Sequence, residues 1–172
     1  MSMLFCNIGW MERYQGILGD SIKRGGSYNK QNIGHEVCNF LSIDNFVYGF
    51  VQSKGEINID RIGAQKGDQF IDGITVVWLA GPENGGTAII GWYKNAKVYR
   101  TLQNIESPNE IQKENFVTQY FISAKTQNTK LLSFNERNFM IPRKIKGGIG
   151  QSNIWYADSV EIANLKDKIV NY

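Results

Sequence analysis

The chain has 172 residues, a formal net charge of +3 and 42% apolar residues. These values fit one globular domain with an ordinary core. No apolar run approaches the roughly 20 residues that a membrane-spanning helix needs, and residues 1–10 lack the features of a signal sequence. We therefore expect a cytoplasmic protein, with residues 1–172 forming one domain that is either complete or the N-terminal part of a longer protein.

Eight runs of β-branched and aromatic residues, bounded by Gly, Asn, Asp or Pro, predict strands. The glycine-rich loop 81–86 predicts an antiparallel hairpin between the fourth and fifth of them, and Asn95 with Ala96 predicts another reversal. Many short strands predict an α+β fold built on a compact, bent β-barrel with a few peripheral helices. The predicted strands are residues 3–10, 46–52, 56–62, 74–80, 87–93, 97–102, 116–124 and 130–134.

Three segments predict helices. Asp158 and Glu161 have the spacing of a capping box before a C-terminal helix. Shorter helices are predicted within residues 31–40 and from residue 108 to 113.

Cysteine and histidine are scarce: the chain has two cysteines and one histidine. Cys6 and Cys38 are far apart and flanked by core-like residues, which predicts buried free thiols rather than a disulfide. No metal-ligand spacing is present. We expect neither a metal site nor a cofactor.

The four tryptophans stand beside glycine, tyrosine or small polar residues, which leaves an indole face open for a planar ligand. Trp78, inside an apolar run, is the one that best fits the core. Trp92 and Tyr93 must point to opposite faces of a strand, and Gly91 would let a ligand approach Trp92. The alternative is that Trp92 closes one end of the barrel while Tyr93 lies outside.

A second motif is the glycine-rich segment 147–156. Gln151 and Asn153 can present donors and acceptors to the edge of a base, and Lys144 and Lys146 precede them. The segment lacks the Gly-Lys-Ser/Thr ending of a phosphate-binding loop. A plain surface loop is the alternative interpretation.

His35 with Glu36 or Asp20 could form an acid–base pair, because a catalytic histidine needs a carboxylate to orient it. No Ser or Cys nucleophile stands in a recognisable motif. The pattern favours a structural histidine, with a small hydrolase or nuclease as the alternative function.

The chain resembles the PUA-like superfamily, which includes EVE, YTH and ASCH domains. The resemblance rests on a first strand ending at Trp10, on the strands 76–80 and 89–91, and on Tyr99. It differs at residues 11–14, where EVE domains carry Asn-Pro, and in the inserts 20–44 and 106–114. The resemblance implies a small barrel that flips a modified base into an aromatic cage, as in specificity domains of modification-dependent restriction nucleases.

We therefore expect a non-catalytic domain that binds nucleic acid, modified DNA in preference to RNA, with no membrane partner and with cleavage by a fused or associated nuclease domain. A small-molecule or protein-interaction β-barrel is a further alternative. The predicted base-binding residues are Trp10, Trp92, Trp155, Tyr93, Asp20, Asn95, Gln151 and Asn153. The predicted phosphate-binding residues are Lys94, Lys97, Arg100, Lys144 and Lys146.

Overall fold

A computed structural model describes residues 2–23 and 34–172. Within them the strands are β1 (Met3–Ile8), β2 (Phe46–Gly49), β3 (Phe70–Ala80), β4 (Ala88–Asn104), β5 (Gln119–Lys125), β6 (Thr129–Leu131) and β7 (Ile154–Trp155). The α-helices are α1 (Glu110–Glu114) and α2 (Ala163–Val170). The 3-10 helices are His35–Cys38, Ile59–Ile62, Thr126–Asn128, Phe134–Glu136 and Val160–Ile162.

The strands form one mixed sheet in the order β2-β5-β4-β3-β1-β7, with β6 pairing with β4. Strands β1 and β3 are parallel, and the hairpin of β3 with β4 confirms the predicted antiparallel pair. The predicted reversal at Asn95 and Ala96 is wrong, because β4 runs through both residues. Asn95 has a φ of 51° and lies where β4 has one residue more than β3 between paired positions. The turn-forming residue therefore makes a bulge.

The sheet is open, so the predicted closed barrel is wrong, although the broad α+β class holds. The predicted strand 56–62 is irregular chain followed by a 3-10 helix. This segment reaches the β7 end of the sheet through side chains: Asn58 N–H donates to the Tyr156 hydroxyl at 2.8 Å, and Arg61 pairs with Asp158. Side-chain contacts there take the place of a strand ladder.

The helices are short. Helix α1 confirms the prediction near residue 108, and its capping box joins Asn109 and Gln112. The C-terminal helix is also confirmed, but Asp158 does not cap it, because its carboxylate accepts from Arg61. The helix predicted within 31–40 is a 3-10 helix where it can be compared, and residues 31–33 lie outside the described residues. Across residues 2–23 and 34–172, no helix has both the length and the apolar character to cross a bilayer.

Alternation along β3 gives the sheet two cores. Val76 and Trp78 enter the first core, which also contains Cys6 and Cys38. Val77 and Leu79 enter the second, which α2 and the chain before β7 cover. Both cysteines are buried free thiols, as predicted, and burial raises the pKa of Cys38 to about 12.

Candidate base-binding site

The aromatic pocket is a cavity of about 370 Å³ beside the end of β1. Trp10 is fixed there by a two-way main-chain bridge with Lys23, at N···O distances of 3.0 and 2.7 Å. The Phe134 ring lies parallel to the indole, with an interplanar angle of 4° and ring centroids 5.6 Å apart. The lining residues are Trp10, Met11, Glu12, Ile17, Gly19, Asp20, Ser21, Lys23 and Phe134.

Asp20, one of the predicted base-binding residues, lines this pocket and is 7% exposed. Its carboxylate accepts main-chain N–H bonds from Glu12 at 2.8 Å, Arg13 at 2.7 Å and Tyr14 at 3.1 Å. The positive φ of Tyr14, 53°, belongs to the tight turn that aims these groups inward. A carboxylate has about four acceptor positions, so Asp20 keeps about one for a ligand.

Arg137 supports the two rings from within the protein. Its guanidinium carbon lies 4.9 Å from the Trp10 ring centre and 4.7 Å from that of Phe134. Burial lowers the pKa of this guanidinium, and the charge is stabilised by hydrogen bonds. The acceptors are the main-chain carbonyls of Met11, Glu12 and Leu132.

The polar groups of the pocket are mostly hydrogen-bond acceptors. Asp20 and the exposed Glu12 contribute carboxylates. Lys23, at the rim, is paired with Glu83 at 3.0 Å, which raises the pKa of Lys23. A ligand that fits would therefore present a flat apolar face and a donating edge.

Two predicted base-binding residues are core residues. Tyr93 is fully buried, packs on Phe40 and Trp78, and donates its hydroxyl to the main-chain carbonyl of Asn39. Trp155 is 8% exposed and lies 4.7 Å from the Phe5 ring. Its Nε1 donates to the Gly147 carbonyl at 3.0 Å. Neither ring has a face free for a ligand.

The predicted cage of Trp10, Trp92 and Trp155 does not form. Cross-strand pairing places Trp92 beside Val77, Val77 beside Phe5, and Phe5 beside Trp155. Two strands therefore separate Trp92 from Trp155, and neither lines the pocket that contains Trp10. A single sheet face carries both indoles, yet strand order keeps them apart.

Trp92 is half-buried and packs against the second core. The ammonium groups of Lys130 and Lys94 lie 5.5 and 6.0 Å from its ring centre. Asn95 is exposed at the β4 bulge. This group lies on the sheet, outside the aromatic pocket.

The remaining predicted residues are dispersed. Gln151 and Lys144 are exposed, and Asn153 donates to the Gln52 carbonyl at 3.2 Å. Gln151 and Asn153 shortly precede β7, and none of the three residues lines the pocket.

The other three predicted phosphate-binding cations form ion pairs. Lys97 lies 3.6 Å from Asp72, Arg100 lies 2.6 Å from Asp60, and Lys146 lies 2.6 Å from Glu161. Arg100 also donates to the Asp68 carbonyl at 2.7 Å, so its guanidinium is committed to the protein.

His35 is half-buried against the Phe50 ring, with ring centres 4.8 Å apart. Burial lowers its pKa, and the nearby charge of Glu36 opposes that shift. The Nδ1 atom has no hydrogen-bond partner among the described residues. The carboxylate of Asp20, which the sequence offered as a partner for His35, accepts from the main-chain N–H groups of Glu12, Arg13 and Tyr14. In residues 2–23 and 34–172, no three His, Cys, Asp or Glu side chains are grouped so as to hold a metal ion.

Comparison of the chain with protein-family models gave no match, and neither curated proteins nor solved structures gave a similar one. The resemblance to PUA-like domains therefore stays a prediction. Sequence reasoning placed Trp10 and Asp20 in the site but missed Phe134, which it assigned to the end of a strand. A phenylalanine after a strand gives no signal of a ring partner so far away in the chain.

Proposed function

We propose that this protein binds nucleic acid and reads one modified base in the aromatic pocket. The observation that carries the proposal is the parallel pair of Trp10 and Phe134 beside the fixed carboxylate of Asp20. Stacking on aromatic side chains contributes about 1–3 kcal/mol per base. This stacking free energy is comparable with the cost of extruding a base from a duplex, which is a few kcal/mol.

The acceptor groups of the pocket favour a base with an exocyclic amino group. Aspartate and glutamate accept from the cytosine N4 amine, and adenine carries an amine at N6. Guanine also carries an amine, at N2, whereas thymine and uracil have no exocyclic amine and offer only one N3–H between two carbonyls. A methyl group on the base would contact Ile17 or Met11, an effect of about 1–3 kcal/mol. Among these amino-bearing bases we propose a modified cytosine or adenine in DNA as the ligand.

In this proposal the protein supplies targeting, and a separate nuclease domain cleaves. The pocket lining provides two aromatic rings and the carboxylates of Asp20 and Glu12, which are groups that can bind a flat ligand with a donating edge.

The test is the affinity of the protein for matched duplexes that carry cytosine, 5-methylcytosine, adenine or N6-methyladenine at one position. Phe134 is 46% exposed and Phe116 is 71% exposed, so Phe134→Ala and Phe116→Ala form a matched pair of surface truncations. We expect one modified duplex to bind best. We also expect Phe134→Ala to weaken it by about 1–3 kcal/mol and Phe116→Ala to leave it unchanged.

Equal affinity for all duplexes, with no difference between the two phenylalanine variants, would refute the proposal. Circular dichroism spectra of both variants establish that a lost affinity is not a lost fold.

A further inference from the structure

Four aromatic rings from four neighbouring strands form a continuous row on the sheet, here called the sheet-face row. Tyr48 of β2 lies 5.0 Å from Tyr120 of β5, measured between ring centres. Tyr120 lies 5.7 Å from Tyr99 of β4, and Tyr99 lies 5.8 Å from Phe70 of β3. The two tyrosine pairs, with interplanar angles of 69° and 88°, pack edge to face, and the Phe70 ring is tilted by 56° against Tyr99. Each ring therefore fixes the next one.

The row lies on the face of the sheet that points away from the first core. Val47 and Val98 are buried in that core, so the residues that follow them, Tyr48 and Tyr99, point to the opposite side. Phe70 pairs with Tyr99 across the strands and shares its face.

The second core covers a different part of this face and leaves the row uncovered. None of its buried residues comes from β2 or β5, and the one from β4, Ile89, lies near the start of that strand. Phe70 is 43% exposed and the three tyrosines are half-buried. Aromatic surface thus remains accessible where four strands meet.

Lysines accompany the rings along β4. The Lys97 ammonium lies 4.0 Å from the Phe70 ring centre, and Lys94 and Lys130 flank Trp92. Two acids lie beside them: Asp72 pairs with Lys97 at 3.6 Å and Glu136 with Lys130 at 3.4 Å. Around Trp92 and Phe70 the three lysines therefore outnumber the two carboxylates, and Lys94 is exposed. At the other end of the row, the carboxylates of Asp44 and Glu106 lie near Tyr48 and Tyr120, so the lysines place the phosphates at the Trp92 and Phe70 end.

The strip from Trp92 to Tyr99 is roughly 23 Å long at the usual rise per strand residue. An extended polyanion with flat side groups fits a strip of that length that combines rings and ammonium groups. A neutral polysaccharide would use the rings and leave the lysines without a role.

We infer that this face binds single-stranded nucleic acid, with bases stacked on the sheet-face row and on Trp92 and with phosphates beside Lys94, Lys97 and Lys130. The inference rests on the proposed function, since it adds a surface for the strand that flanks the recognised base. It assigns binding to five rings, the four of the sheet-face row and Trp92, that lie outside the aromatic pocket.

The experiment measures fluorescence anisotropy of a labelled ten-nucleotide oligo(dT) with the whole chain over a range of salt concentrations. Phe70→Ala should weaken binding by about tenfold or more, and Phe116→Ala should have no effect. Tyr48→Phe retains a ring and should bind as the wild type does, whereas Tyr48→Leu should bind more weakly. Lys94→Gln should reduce the slope of log affinity against log salt by about 0.7.

The outcomes separate the two proposals. Oligo(dT) binding that depends on Phe70 but not on Phe134, without any preference for modified duplexes, would support the sheet face and refute the pocket. Absence of oligo(dT) binding, or binding that is insensitive to salt and to Phe70→Ala, would overturn the sheet face. Salt-independent binding of a neutral polysaccharide that Phe70→Ala abolishes would also overturn it.

Discussion

The carbonyl oxygen of Lys130 occupies the space that a side chain on Gly91 would need: an ideal Cβ on Gly91 would lie 2.3 Å from it. Gly91 pairs with Leu131 across β4 and β6. The glycine beside Trp92 therefore allows β6 to approach β4, and it does not open the indole to a ligand. Because β6 carries Lys130, this contact also sets the position of one cation beside Trp92.

We predict that Gly91→Ala lowers the free energy of unfolding by about 1–3 kcal/mol, because the main chain of β6 must move to admit the methyl group. Gly150→Ala is the control, since its Cβ would meet nothing within 4 Å. Urea unfolding of both variants measures the difference. If the two variants were equally stable, the close approach of β6 would not be a constraint.

Asp20→Ala should destabilise the protein by about 3 kcal/mol, because three main-chain N–H groups would lose a charged acceptor in a largely buried site. Asp20→Asn keeps one acceptor oxygen and should cost less. Thermal unfolding, followed by circular dichroism, ranks the two variants. A loss of stability as small as that of an exposed substitution would contradict the assigned role of this carboxylate.

The ion pair of Arg61 with Asp158 should make a small part of the stability depend on pH. Two hydrogen bonds of 2.7 Å from Arg61 hold the pKa of Asp158 below its ordinary value of 3.8. A carboxylate whose pKa is lower in the folded protein than in the unfolded chain stabilises the fold at pH values above its unfolded-state pKa. That stabilisation is lost as the pH falls through the folded-state pKa.

Arg61→Ala should therefore raise the pKa of Asp158 toward 3.8, which a carboxyl NMR titration would detect. Both side chains are nearly half exposed, so the loss of stability at neutral pH should be at most about 1 kcal/mol. An unchanged titration of Asp158 would show that the pair does not persist in solution.

Trp155→Ala should cost about 3–5 kcal/mol of stability, as truncation of a buried tryptophan does. Trp92→Ala should cost less, because that side chain is only half-buried, but it should weaken binding of oligo(dT). Unfolding and binding measurements on both variants separate the two roles. Equal losses of stability would contradict the assignment of Trp155 to the core and Trp92 to the surface.

Local sequence patterns predicted much of the secondary structure. The hairpin of β3 with β4 follows from a loop of turn-forming residues between apolar runs, and α1 lies close to the helix predicted from residue 108 to 113. Such signals come from residues that are close together in the chain, so they can be recognised without knowledge of the fold. The same reasoning failed at Asn95, because a turn-forming residue fits a β-bulge as well as it fits a hairpin loop.

The candidate site depended on contacts that local patterns do not encode. Trp10 and Asp20 carried a signal in composition, and both line the pocket. Phe134 and Arg137 join them only because the chain after β6 folds back onto the end of β1.

The sequence by itself determined the predominance of strands, the buried free cysteines and the C-terminal helix, since hydrophobic alternation and turn chemistry operate over a few residues. The tertiary structure decided that the sheet is open and that its tryptophans are separated. Strand order and register set which faces meet, and they arise from packing summed over the whole chain.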